Sequence, residues 1–360
     1  MPTLSLTVDA ANLRSPGSIA AIEQAAAILR SGGTVAFPTE TVYGLGANAL
    51  DPNAVAKIFA AKQRPGWDPV IVHLADPAML HSVVGEIPPS ARERVTRLIN
   101  AFWPGPLTLL LPRNAAVPDA VTAGRPLVGV RVPAHPVAHA LLTAAAIPVA
   151  APSANSFGHV SPTTAAHVAE DLDGRIDAIL DSGETTHGLE STVLDPCSEP
   201  CVVYRPGVIT LDQIRDQLRA IGSDVIVFNE RALSPDVQPE SLPSPGVGLR
   251  HYAPRARLVL VDGMGSIQLA RFQVEVQYAK NMGEKLGLML PDAFPYGASH
   301  PDALIYRWGT WTNEEELAQR LFAGLRWLDA AGATVILCPL PEAKGIGVAI
   351  RDRLQKAARK

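Results

Sequence analysis

Cysteine is scarce: Cys197, Cys201 and Cys338 are the only three in 360 residues. An odd, scattered set excludes a disulfide framework and points to a reducing, cytoplasmic setting. Aromatics make up 5% of the chain and charged residues 18%. No apolar run approaches the 18 or so residues that span a membrane. The richest, residues 137–151, is broken by His139, Thr143 and Pro148. The first ten residues lack the basic start and apolar core of a signal peptide. Net charge is also low, 35 acidic against 31 basic residues for −4. That excludes overall electrostatic adhesion to nucleic acid or anionic lipid, and leaves room for a local basic site.

Hydrophobic residues are plentiful at 47%. A chain of this size buries roughly three-quarters of its unfolded surface, so it needs no covalent staples. Proline is abundant too, 32 residues, and it punctuates the chain at turns. Ile19, Ile22, Ala26 and Leu29 share one helical face, which Gly32 and Gly33 end. Residues 34–38 read as a strand entering a glycine-rich loop. Asp51 and Pro52 start a second helix as N-cap and first turn. Residues 70–74, 107–111 and 127–132 read as buried strands. Helices are expected at 90–102, 136–145, 163–171 and 211–221. Residues 229–254 hold many prolines and read as a linker or lid. Strands at 258–262, 286–291, 303–308 and 334–339, with helices at 313–331 and 347–358, then suit a second domain. The division expected is 1–228, 229–254 and 255–360.

Several segments carry chemistry. Pro38-Thr39-Glu40-Thr41-Val42-Tyr43-Gly44-Leu45-Gly46 follows a strand, and its glycines allow close backbone approach to a ligand. Lys62-Gln63-Arg64-Pro65 puts two cations at a helix end, where they could also merely complement the helix dipole. His73 and Arg131 each sit inside an apolar strand. A lone His there is commonly a satisfied core residue, but a buried Arg needs an anion. Residues 151–163, APSANSFGHVSPT, read as small hydroxyl residues before a helix starting at Ser161-Pro162. Such a helix start is either a phosphate site or a plain cap. Glu190-Ser191-Thr192-Val193, Arg205-Pro206-Gly207 and Arg250-His251-Tyr252-Ala253-Pro254 complete the set. There is no Walker A loop and no nucleophile elbow. His135 and His139 have metal-pair spacing, yet Pro136 lies between them and no third ligand is near, so no metal site is assigned.

Taken in order, PTETVYGLG, KQRP, FWPGPLT, VGVRVP, PSAN, SPT, ESTV, RPG and RHYAP resemble the threonylcarbamoyl-AMP synthase family over nearly the whole chain. The resemblance implies a YrdC-like twisted mixed-sheet domain, a Pro-rich linker and a smaller Rossmann-like α/β domain. It implies that L-threonine, bicarbonate and ATP, with Mg²⁺, give threonylcarbamoyl-AMP and pyrophosphate. Downstream tRNA threonylcarbamoyl transferase proteins then modify the adenosine beside the anticodon. By resemblance, Thr41, His73, Arg131, Ser191 and the backbone at Ala151 hold threonine. Arg64, Ser153, Asn155, Ser161, Arg205 and Tyr252 hold ATP, and Lys62 and Arg64 are the catalytic cations. Asp68 departs from the amide or small polar residue usual in the family, and Gly248 replaces a common lysine. Two other readings compete. An RNA-binding module sits poorly with the net charge, although weak RNA binding stays open. A carbamoyltransferase of the hydrogenase-maturation type would bring cysteine clusters that are missing here.

Overall fold

Ser15 accepts a hydrogen bond from the Ser18 N–H and caps helix α1 (Pro16–Arg30). Proline in its first turn gives up an N–H that has no helical partner. Ala21, Ile22, Ala25, Ala26 and Leu29 form its buried face. Asp51 caps α2 (Pro52–Lys62) in the same way, and Gln63 ends it in the left-handed conformation. The computed structural model describes residues 2–228, 242–244, 247, 252–296 and 302–359. Most of the expected 229–254 linker, Gly248 included, lies outside the described residues.

The chain forms two units. One comprises Met1–Phe157, Ser161–Thr186 and Glu190–Gly248; the other comprises Gly158–Val160, His187–Leu189 and Leu249–Lys360. In the first unit β1 (Leu4–Thr7) precedes α1, and β2 (Val35–Phe37) and β3 (Gly44–Asn48) follow it. After α2 come β4 (Ile71–His73), α3 (Pro89–Phe102), β5 (Leu107–Pro112) and α4 (Asp119–Thr122). Next are β6 (Leu127–Arg131), α5 (Pro136–Ala145), β7 (Val149–Ala150), α6 (Ala165–Leu172) and β8 (Ala178–Asp181). The unit ends with β9 (Thr192–Asp195), β10 (Cys201–Arg205), α7 (Leu211–Arg219) and β11 (Val225–Val227). The eleven strands form one mixed sheet, in the order β1-β8-β2-β3-β7-β4-β6-β5-β9-β10-β11. Leu107 to Leu111 are buried throughout, so β5 is covered on both faces.

The second unit holds β12 (Arg257–Val261), α8 (Gly265–Asn281), β13 (Leu286–Leu290), β14 (Leu304–Arg307), α9 (Glu314–Ala330), β15 (Val335–Pro339) and α10 (Gly347–Ala357). Its sheet is wholly parallel, in the order β12-β15-β13-β14. Asn313 caps α9, and three glutamates fill its first turn, where the helix dipole favours them. This is the expected smaller α/β unit, and the fold class stands as read.

Three local expectations change. The glycine-rich loop is in part a strand: β3 pairs antiparallel with β2. Gly46 is there because a Cβ would come within 2.8 Å of Phe37 and Val149 side-chain atoms. The helix expected to start at Ser161-Pro162 starts at Ala165, capped by Thr164. Helix α8 escapes the sequence pattern because only Gln268, Phe272, Val276 and Ala279 are buried, while Ile267, Val274 and Tyr278 are exposed. Its apolar residues therefore do not keep to one face.

Candidate active site

The middle of the large sheet lines up the site. Parallel pairing of β4 with β6 sets His73 opposite Arg131, both at strand C-terminal ends. Antiparallel β5 pairs Leu109 with Val130, which brings Thr108 level with Arg131. Parallel β5 and β9 pair Leu107 with Thr192, just after Ser191. Antiparallel β10 then sets Arg205 opposite Val193. On the other flank the Ala151 N–H, just past β7, donates to the Ile71 carbonyl at 2.8 Å. Six neighbouring strands thus carry Ala151, His73, Arg131, Thr108, Ser191 and Arg205 side by side.

Arg131 is buried and held twice. Nη1 donates to Thr41 Oγ1 at 3.0 Å, and Nη2 lies 2.7 Å from Glu40 Oε2. Thr39 shapes the turn that presents both partners: its hydroxyl donates to the Val42 carbonyl at 2.7 Å and accepts the Thr41 N–H. His73 packs edge-on against Phe37. Burial, then the Arg131 charge, push its pKa down from 6.5 to about 3, so the ring is neutral. Arg205 donates from Nε and Nη2 to the Ser191 carbonyl, at 3.1 and 2.9 Å. Ser191 Oγ shares a 2.8 Å bond with Thr108 Oγ1. Gly207 follows Arg205 because a Cβ would lie 2.4 Å from the Thr192 nitrogen.

A second group surrounds residues 152–157. Lys62 Nζ is buried and donates to the carbonyls of Ser153 and Asn155, both at 2.5 Å. Burial, then the neighbouring Arg64 charge, push the Lys62 pKa well below its usual value, with Asp68 opposing. The loop is tied further by Ala154 N–H to the Tyr43 carbonyl and Phe157 N–H to the Lys62 carbonyl. Arg64 donates to the carbonyls of Asp68 and Pro69 at 3.1 and 2.7 Å. Its Nη2 also lies 2.8 Å from Asp68 Oδ2, a fully buried carboxylate. The family departure at Asp68 therefore faces a cation. Ser161 Oγ donates to Glu190 Oε1 at 2.6 Å instead of capping a helix.

Thr41 with Arg131, Ser191 with Arg205, and Lys62 with Ser153 and Asn155 are thus joined directly. Tyr252 belongs to the second unit, where its ring stacks on Phe322 at 5.5 Å beneath the Arg353 guanidinium. Glu40, Thr108 and Glu190 lie inside segments that stand out in the sequence, but no role was assigned to them there. For Glu40 the signal was available, since a buried Arg131 demands an anion nearby. Among the described residues no three His, Cys, Asp or Glu side chains cluster as metal ligands. His135 uses Nδ1 to accept the Val137 N–H. Cys197 and Cys201 are free thiols, raised to about 11 chiefly by burial. No helix among the described residues is long and apolar enough to cross a membrane.

Comparison with known proteins places the whole chain in one family. Residues 27–207 match a family model described as "Telomere recombination", covering Sua5, YciO and YrdC, and residues 209–359 match "Threonylcarbamoyl-AMP synthase, C-terminal domain". The threonylcarbamoyl-AMP synthase of Pyrococcus abyssi is 42% identical over 94% of each chain. That of Bacillus subtilis is 42% identical over 94% of this chain and 92% of its own. The crystal structure of P. abyssi Sua5 complexed with L-threonine superposes with a TM-score of 0.87 at 40% identity, covering 99% of this chain and 98% of that one. The chain belongs to the threonylcarbamoyl-AMP synthase family: it is a nucleotidyltransferase that makes L-threonylcarbamoyladenylate, the first step of tRNA threonylcarbamoyladenosine modification.

Proposed function

We propose that the first unit binds L-threonine on this row of strand ends and ATP on the neighbouring loops and Arg205. Arg131 grips the L-threonine carboxylate, with Thr41, His73, Ser191 and the Ala151 backbone around it. Arg64, Arg205, Ser153, Asn155 and Ser161 receive ATP. The threonine amine adds to CO₂ derived from bicarbonate and forms a carbamate. A carbamate oxygen then attacks the α-phosphorus, and the bond to pyrophosphate breaks. No protein nucleophile is needed; the barrier falls through positioning and through charge fixed on the transferring group. Lys62 contributes through the loop: its two bonds fix where Ser153 and Asn155 stand.

Mg²⁺ enters with ATP. The buried carboxylates nearby each already face a cation or a hydroxyl through one oxygen: Glu40 Oε2 faces Arg131, Asp68 Oδ2 faces Arg64, and Glu190 Oε1 faces Ser161. The donor set therefore suits a cation held by phosphate oxygens and water. Bound so, it neutralises charge on the phosphates. The product is a mixed anhydride that hydrolyses readily, which calls for handover to the tRNA threonylcarbamoyl transferase proteins.

The observation that carries this reading is that three buried arginines, Arg64, Arg131 and Arg205, stand with the buried Lys62 at strand ends and the loops beside them, whereas the remaining buried arginine among the unit's described residues, Arg94, is paired with Glu199. Pyrophosphate release from ATP tests it. Release is expected to require L-threonine and bicarbonate together, and Arg64→Ala is expected to abolish it. Turnover indifferent to threonine overturns the reading.

A further inference from the structure

Five buried side-chain atoms on Glu40, His73 and Arg131 have no hydrogen-bond partner among the described residues; Glu40 Oε2 and Arg131 Nη2 face each other as the ion pair, which leaves three unengaged: Glu40 Oε1, Arg131 Nε and His73 Nδ1. Orphaned buried polar atoms are costly, and native structures keep few of them. Three on residues joined by one ion pair and one strand register describe a ligand by its missing halves. Arg131 asks for an anion. Glu40 is a carboxylate and accepts only. The neutral His73 ring offers an acceptor where its other nitrogen donates. The complement is an anion, a cationic donor and a neutral donor on adjacent atoms. L-Threonine carries these as carboxylate, ammonium and hydroxyl.

We propose that Glu40 is the amino-group receptor of the site: Oε1 accepts an N–H from L-threonine while Arg131 takes the carboxylate. Glu40 thereby selects a 2-amino acid over the corresponding 2-hydroxy acid. This rests on the placement of L-threonine at Arg131 proposed above. The Arg131–Glu40 pair is a buried dipole, and a zwitterion laid against it cancels charge at both ends. A lone arginine would accept any small carboxylate of the right shape. The contact also suits the chemistry. The free amine keeps an N–H for Glu40 and can turn its lone pair away from the carboxylate, and the carbamate nitrogen still holds one N–H.

The test is equilibrium binding, on the full chain, of L-threonine and of its 2-hydroxy analogue with the same configuration at both carbons. The native protein is expected to favour threonine by roughly 10- to 100-fold, the worth of one charge-assisted hydrogen bond. In Glu40→Gln that preference is expected to collapse to a few-fold. If Glu40 only steadies Arg131, both ligands weaken together and the ratio survives; that result overturns the proposal. An unchanged ratio with unchanged affinities overturns it as well. Glu40→Asp keeps the charge and serves if the Gln variant does not fold, with a partial loss of preference expected and an intact preference counting against the proposal. Arg131→Met separates the two readings. If it leaves threonine binding intact, the placement at Arg131 fails; if it weakens both ligands while Glu40→Gln spares the ratio, only the role of Glu40 fails.

Discussion

The two units spend buried charge differently. In the first, Glu40, Lys62, Arg64, Asp68, His73, Arg131, Glu190 and Arg205 are all buried, and they cluster at strand ends and the loops beside them. In the second, the buried polar residues include Gln268, Arg353 and Lys356, within a parallel sheet packed by Phe272, Val276, Leu288 and Val335. Arg353 and Lys356 share the Asp352 carboxylate on their own helix. Lys356 is thus buried against a partner one helical turn away, and Arg353 against the adjacent Asp352 and the Tyr252 ring of the same unit. His73, Arg131 and Arg205 come from three different strands, and the others from the loops and helix end beside them; ionisable groups gathered in this way serve nothing local, and an ion pair of that kind contributes little net stability against an apolar equivalent. On the proposed function, the first unit accepts unfavourable burial because the reaction needs preorganised charge.

The strongest way to break this comparison is to remove a charge from each unit. Arg131→Ala leaves Glu40 buried without its cation, a loss of about 3–5 kcal/mol for a broken buried pair. Threonine-dependent pyrophosphate release is expected to fall at least about 1,000-fold. Arg257 pairs with Glu284 at 3.2 Å on the exposed face of the second unit. Arg257→Ala is expected to cost no more than about 1 kcal/mol and to leave turnover unchanged. Comparable losses of activity in both would end the distinction.

A smaller effect separates geometry from packing. A methyl group at Gly207 meets backbone atoms of Glu190, Ser191 and Thr192 within 2.6 Å. The strand bearing Ser191 must move, so Gly207→Ala is expected to cost about 100-fold in kcat/KM for threonine. A methyl at Gly324 in the second unit meets the Tyr306 ring at 2.7 Å, and a ring can turn aside. Gly324→Ala is expected to lower stability by about 1–3 kcal/mol with kcat/KM intact. Thermal melting and steady-state rates on both variants decide it.

The same contrast governs what could be read from the sequence. Arg131 and His73 stood out because each interrupts an apolar strand. Glu40 did not, because Thr39 and Thr41 flank it in a loop already polar, and only the ion pair reveals its burial. Ser161-Pro162 carries a genuine helix-start signal, but Thr164 carries one too, three residues on. The competition was settled by Glu190, a partner 29 residues away. Strand β3 was hidden by its glycines, whose purpose is the room taken by Phe37 and Val149. Helix ends set by local signals, as at Asp51 and Gly32, were legible; placements set by a distant neighbour were not.

The smallest expected effect is a pH dependence. His73 is held near a pKa of about 3 by burial, assisted by Arg131, against an ordinary value of 6.5. The unfolded chain therefore binds a proton below pH 6.5 that the folded chain refuses, and stability falls as pH drops from 6.5 toward 3. Between pH 6.5 and 5 this group alone is worth about 2 kcal/mol. In the second unit, burial raises the Asp352 pKa but Lys356 and Arg353 outweigh it, leaving the pKa below 3.8. Its contribution is whole above the ordinary carboxylate value of 3.8 and is lost as pH falls from there through the lower folded value. Mild acid should thus weaken the first unit before it touches the Asp352 cluster. Urea unfolding at pH 6.5 and pH 5 is expected to show a larger loss in the native protein than in His73→Gln, by about 2 kcal/mol. Equal losses would mean that His73 is protonated in the folded state, and the neutral acceptor invoked for the threonine hydroxyl would go with it.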